Sequence, residues 1–226
     1  MTSHTPDRTI LAVPWPVWLL LGLMLALHIA WRANAAPPRA SSEALPAPAT
    51  PSVVKLATLD EPIAAAQLLT LYLQAFDNQP GVSIPFRDLD YPRVVRWLET
   101  ILKLDPDTQY PLLMAAHLYA QVPDEARQRL MLEFVHAKFH EDPERRWRWV
   151  AHATLVAKHR LRDKRLALRY AGDIARLAPG APSWARQMHV FILEDMGEIE
   201  SAAVLLGGLL ATGAVSDPSE ARFLAQ

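Results

Sequence analysis

Residues 179–218 read PGAPSWARQMHVFILEDMGEIESAAVLLGGLLATGAVSDP. Trp184, Met188, Phe191 and Ile192 fall at i, i+4, i+7 and i+8, and after Gly197 a helical spacing returns in Ala202, Leu205, Leu206 and Leu209 at i, i+3, i+4 and i+7. Two apolar stripes of helical period on either side of a glycine predict two helices and a turn, each helix with one face to bury against a neighbour. Prolines mark both ends of the stretch.

The same punctuation recurs upstream. Leu104-Asp105-Pro106, Glu141-Asp142-Pro143, Leu177-Ala178-Pro179 and Ser216-Asp217-Pro218 lie 37, 36 and 39 residues apart. Each interval holds two helices and a turn, with proline stopping one helix and opening the next. Ile63, Ala66, Leu69, Leu73 and Phe76 form a further helical stripe. No period-2 run bounded by turn residues competes with this pattern, so the expected class is all-α.

A period of this length built from helix pairs resembles the tetratricopeptide (TPR) repeat, at slightly more than its usual length of about 34 residues. In the unit quoted above, Trp184 opens the first helix, Met188 takes the small-residue place and Phe191 the aromatic place; Ala202 and Leu206 open the second helix. Trp147, Ala151, Ala167, Ala171 and Pro179 fill the equivalent places one unit earlier, and Val94, Leu98 and Ile101 suit the helix that ends in LKLDP. The unit from Pro106 to Pro143 matches least, with Tyr110 and Ala126 only approximate. The resemblance implies a short α-solenoid of antiparallel helix pairs over residues 60–226, whose first helices line a groove. By resemblance, groove contacts fall on Arg145, Arg148, His152 and Leu155 in one unit and on Ala185, His189 and Ile192 in the next. Of these, Arg145, Arg148, His152 and His189 are the candidate partner-binding residues.

Outside the repeat, Ile10 to Trp31 reads ILAVPWPVWLLLGLMLALHIAW and contains no Asp, Glu, Lys or Arg. At about 1.5 Å per residue it reaches across a hydrocarbon core of about 30 Å, with Trp15, Trp18 and Trp31 near its ends as an interfacial belt. The expected organisation is a tail at 1–9, a transmembrane signal anchor at 10–31 and a Pro/Ala-rich linker at 32–59 that spaces the repeat domain from the membrane. Ala33-Asn34-Ala35 also fits a small-x-small cleavage site, so a cleaved signal peptide is the alternative to an anchor. Arg8, Arg32 and Arg39 give little orientation by positive-inside counting. The cleavage-like pattern and the Pro/Ala stretch favour an inner-membrane protein with its C-terminal domain in the periplasm.

The 226 residues are 51% apolar, with 23 Lys and Arg against 24 Asp and Glu and no cysteine. The apolar fraction excludes wholesale disorder, and the missing thiols exclude disulfide scaffolds, thiolate zinc sites and cysteine nucleophiles. Near-neutrality argues against a nucleic-acid partner held by bulk positive charge. Charge is unevenly placed, however. Between Pro143 and Tyr170 nine Lys and Arg face only Glu144 and Asp163, whereas the last unit carries Glu194, Asp195, Glu198 and Glu200. The Arg145-Arg146-Trp147-Arg148-Trp149 run mixes cations with aromatics and suits an acidic peptide, or anionic lipid or glycan headgroups.

No nucleophile elbow, phosphate-binding loop or dinucleotide fingerprint is present, so no enzyme is expected. An enzyme would need His117, His152 or His189 gathered with a carboxylate. Glu133, His136 and His140 fall at i, i+3 and i+7, but a di-iron bundle needs a second such element, and Ala137 occupies the place of a zincin glutamate. The expectation there is a solvated helix face with an intrahelical pair, and no metal or cofactor. The functional expectation is a membrane-anchored module or scaffold of the bacterial cell envelope that binds a protein partner in its groove. The alternative is a peripheral domain that binds anionic lipid or glycan through residues 145–169. Self-association is a further option, because an exposed solenoid end needs capping.

Overall fold

The computed structural model describes residues 14–35 and 42–211, with residues 208–211 described by backbone alone. The tail, residues 10–13, part of the linker and the Ser216-Asp217-Pro218 boundary lie outside the described residues. Helix α1 (Trp15–Asn34) is apolar, buries no side chain, and is long and apolar enough to cross a membrane. Pro16 lies in its first turn, where its missing N–H costs nothing, and the backbone turns extended at Ala35.

The rest is mostly helical. Helices α2 (Pro51–Ala57) and α3 (Pro62–Ala75) lead into a two-stranded hairpin, β1 (Asn78–Gln79) and β2 (Val82–Ser83), with Gly81 at positive φ in its turn. Then come α4 (Tyr91–Leu104), α5 (Tyr110–Leu113), α6 (Glu125–Glu141), α7 (Pro143–His159), α8 (Lys164–Leu177), α9 (Ser183–Asp195) and α10 (Ile199–Ala211). The chain continues past α5 through a π turn (Met114–Leu118) and a 3-10 turn (Tyr119–Gln121), so this segment also forms one helical rod. From α6 onward each helix packs on the next. Asp90, Asp124 and Asp163 cap α4, α6 and α8 by accepting from the N–H of Arg93, Arg127 and Leu166. Pro143 opens α7 directly after Asp142 ends α6. Pro106 and Pro179 instead lie in the loops after α4 and α8, and Pro111 and Pro182 stand at the helix starts.

The core runs through α4 to α9, with Tyr91, Tyr119 and Tyr170 fully buried. Val94, Leu98 and Ile101, and Ala151, Ala167 and Ala171, all face inward as the repeat pattern requires. In α9 the stripe is turned. Ala185, Val190 and Ile192 are buried, while Trp184 is 55% and Phe191 38% exposed. Trp184 meets Trp147 edge-on at 5.6 Å, so the pair packs at the rim of the core and not within it.

Residues 42–57, within the stretch read as linker, lie against the helical domain. Leu45 is 2% exposed, and its carbonyl accepts from Arg93 Nη1 at 2.6 Å. The Pro46 carbonyl accepts from Trp97 Nε1 at 2.9 Å. Gln79 clasps the Glu43 backbone from both sides, its Oε1 accepting from the N–H at 2.7 Å and its Nε2 donating to the carbonyl at 3.0 Å. Polyproline-like backbone has no internal hydrogen bonds, and its free carbonyls are what Arg93 and Trp97 take up.

Candidate functional site

The face of α7 left open by its neighbours carries Arg145, Arg148, His152 and Leu155, at i, i+3, i+7 and i+10. Arg145 and Arg148 are exposed, His152 is half-buried and Leu155 is 47% exposed. The 110–121 segment presents Tyr110 and His117 in the same way. On α9 the open positions are Trp184 and Phe191; Ala185 and Ile192 are packed, and His189 is half-buried with Nδ1 2.7 Å from the Arg186 carbonyl. Three of the four candidate residues therefore share one stripe, and the described contacts do not join His189 to them. The aromatic spacing of α9 reads equally well as packing face or open face, so spacing alone puts Trp184 and Phe191 on the packing face.

His117 and His152 stack with ring centroids 3.6 Å apart, and Trp149 meets His117 edge-on at 6.1 Å. His117 lies in the π turn, and its stacking on His152 sets its ring against α7. Burial, then the neighbouring His117, lowers the pKa of His152, and its Nε2 is buried without a partner. Burial also lowers His189. The described contacts of His117, His152 and His189 include no carboxylate.

The basic stretch is largely paired within the domain. Arg145 bonds Asp142 and, at 2.6 Å, Asp107. Arg146 is buried and donates to the carbonyls of Lys138 and Pro106 and to Glu141. Lys158 and Lys164 meet Asp195, Arg169 meets Glu133, and Arg160 donates to the Gln121 carbonyl. Arg148 lies over the Trp147 ring at 5.7 Å. Among the described residues, Arg148, Arg160, Arg162 and Arg165 have no ion pair.

Many of these side-chain bonds join residues 36 to 40 positions apart. Trp149 Nε1 donates to Gln109 Oε1 at 2.7 Å, and Gly180 N–H donates to Glu144 Oε1 at 3.2 Å. Glu133 takes Arg169, and His136 takes Asp173. The Glu133, His136, His140 helix face is thus not the solvated face with an intrahelical pair expected from sequence. His136 is 9% exposed, because α8 packs Tyr170 and Asp173 against it, and Glu133 pairs across to α8. Burial lowers the His136 pKa against the upward pull of the Asp173 hydrogen bond.

The chain matches no family model, no curated protein and no solved structure. Its class follows from its own geometry: a mostly helical protein with one N-terminal helix long and apolar enough to span a membrane.

Proposed function

We propose that this chain is a membrane-anchored interaction module of the bacterial cell envelope, a short TPR-like α-solenoid that holds a protein partner against the open faces of its first helices. The observation that carries the proposal is the run of exposed groups on those faces: Tyr110 and His117, then Arg148 and Leu155, then Trp184 and Phe191. Half-exposed aromatics with a nearby cation are the residue types that anchor protein interfaces. Bonds recurring one repeat apart support stacked helix pairs as the scaffold.

Helix α1, free of charged residues up to Arg32 in its last turn, supports an anchor, and the strapped residues from Ser42 onward support a short tether. Seven residues separate Asn34 from Ser42, and the eight steps between them, at about 3.3–3.6 Å each, keep Ser42 within about 29 Å of the helix end. An anionic lipid or glycan surface gains less support, since most cations of residues 145–169 already have partners in the domain. The Ala33-Asn34-Ala35 pattern supports a periplasmic domain; a C-terminal alkaline phosphatase fusion should be active, and a silent fusion would place the domain in the cytoplasm.

The test is crosslinking in native membranes followed by mass spectrometry, with the wild type beside an Arg148→Glu, Trp184→Ala double variant. Arg145 is left alone, because its charge reversal would also repel Asp107 and Asp142. Loss of one reproducible envelope crosslink in the double variant, at unchanged melting temperature, is the expected result. The same crosslinks at the same yield would refute recognition through this face.

A further inference from the structure

We propose that His136, His140 and Asp173 form a divalent transition-metal site of the zinc class that ties α6 to α8. His136 and His140 are four residues apart and therefore share one face of α6. Asp173 comes from α8, 37 residues beyond His136 in sequence. Its Oδ2 lies 2.7 Å from His136 Nε2 and 3.6 Å from His140 Nε2. One ligand atom from each residue falls within 4.8 Å of the other two.

Both imidazoles thus direct the same nitrogen at the same carboxylate oxygen. A tetrahedral zinc ion with bonds of about 2.0–2.1 Å needs its donors about 3.3 Å apart. The closest pair must open by about 0.6 Å, and His140, exposed at the edge of the site, is free to adjust. Two neutral imidazoles and one carboxylate are a borderline donor set that suits zinc, cobalt or nickel better than magnesium or calcium. Three protein ligands leave a fourth position, and the exposed His140 side gives water access to it.

The surroundings also fit. Arg176 holds Asp173 by Oδ1, the oxygen that does not face the histidines, and so orients Oδ2 toward them. The His136 ring is fixed by Tyr170, 4.5 Å away between centroids, and lies parallel to Phe139. His136 now uses Nε2 toward Asp173; in its neutral form it can move its single proton to Nδ1 and present Nε2 to a cation without net proton release. Sequence alone obscured the set because the third ligand comes from the neighbouring helix pair, and Glu133, which suggested a motif, is bound elsewhere.

The test uses the full chain in detergent micelles, titrated with Co²⁺ and followed by visible absorption, with Zn²⁺ as competitor. One tetrahedral Co²⁺ per chain, displaced by Zn²⁺, is expected. His140→Ala changes an exposed residue, so its metal-free melting temperature should match the wild type while its affinity falls at least tenfold. His159→Ala, an exposed histidine of α7, should bind like the wild type. Zn²⁺ should raise the melting temperature of the wild type and not of His140→Ala. The absence of a saturable site, or equal affinity in wild type and His140→Ala, would overturn the assignment.

Discussion

Arg146 is the most exacting test of how the helix pairs are joined. Its side chain is 3% exposed. Nη1 donates to the Lys138 carbonyl at 2.7 Å and to Glu141 Oε2 at 3.1 Å, and Nη2 donates to the Pro106 carbonyl at 2.9 Å. One guanidinium thus holds the C-terminal turn of α6 and the loop after α4, 40 residues back, to the start of α7. Hydrogen bonds from a charged donor are worth about 1.5–3 kcal/mol each. Three terms bring the total down. Glu141 is 53% exposed, so its share is that of a surface pair, about 0–1 kcal/mol. Pro106 is exposed, so water can take over its carbonyl. The buried Nε has no acceptor, and removing it relieves that cost. The expected loss for Arg146→Ala is about 2–4 kcal/mol, a drop of about 5–12 °C in melting temperature for a domain of this size. Arg146→Lys keeps charge and stem but has a single donor head in place of the planar fork, and should recover less than half of the loss. Thermal melting by circular dichroism and urea titration followed by tryptophan fluorescence both measure it. Arg146→Ala within 1 kcal/mol of wild type, or Arg146→Lys equal to wild type, would refute the stitching role.

Two further outcomes follow from the fold. Leu45→Ala removes the one buried apolar anchor of residues 42–50 and should cost about 2–3 kcal/mol by chemical denaturation; a change below 0.5 kcal/mol would mean that these residues do not contribute to the folded unit. His136, His152 and His189 have pKa values lowered from 6.5, chiefly by burial, so below that pH the unfolded chain takes up protons that the folded chain does not. Stability should therefore fall from pH 7.5 to pH 5.5. The lowered carboxyls of Glu141, Asp163 and Asp195 act in a separate window, below their ordinary 4.5 and 3.8. Equilibrium unfolding at both pH values, with the His152→Gln, His189→Gln double variant as control, checks the sign; a flat profile in the wild type would falsify it.

The helical class was legible because it rests on local signals. Proline, aspartate caps and 3.6-residue apolar spacing act within one turn of the residues that carry them, and they locate α4, α6, α7 and α8. The stripe of Arg145, Arg148, His152 and Leu155 on α7 rests instead on the resemblance to the TPR repeat, with Asp142-Pro143 marking its first turn. Three features were not legible. The strap has the composition of a free linker, and its order depends on Arg93 and Trp97, about 50 residues away. The rotation of α9 turns on which side its neighbours take, and both of its apolar faces have helical spacing. The His136, His140 and Asp173 set depends on how α8 packs on α6, which no spacing within either helix encodes.

The charge pattern joins these observations. A stretch with nine cations against two acids is unfavourable by itself, and it is tolerable here because Asp107, Glu133, Glu141 and Asp195 meet it from adjoining elements. The near-zero formal charge of the chain is then a local property, set by pairing across helices and not by averaging over distance. Pairs of this exposure add little stability individually. They do penalise a wrong stacking order, because a displaced unit would face like charge. The same pairing leaves little free charge on the open face, where Arg148 is engaged with Trp147 and the other groups are aromatic, imidazole or aliphatic. For the proposed partner this means short-range contacts at Trp184, Phe191 and Leu155, with Arg148 selecting orientation, in place of long-range attraction by a basic surface.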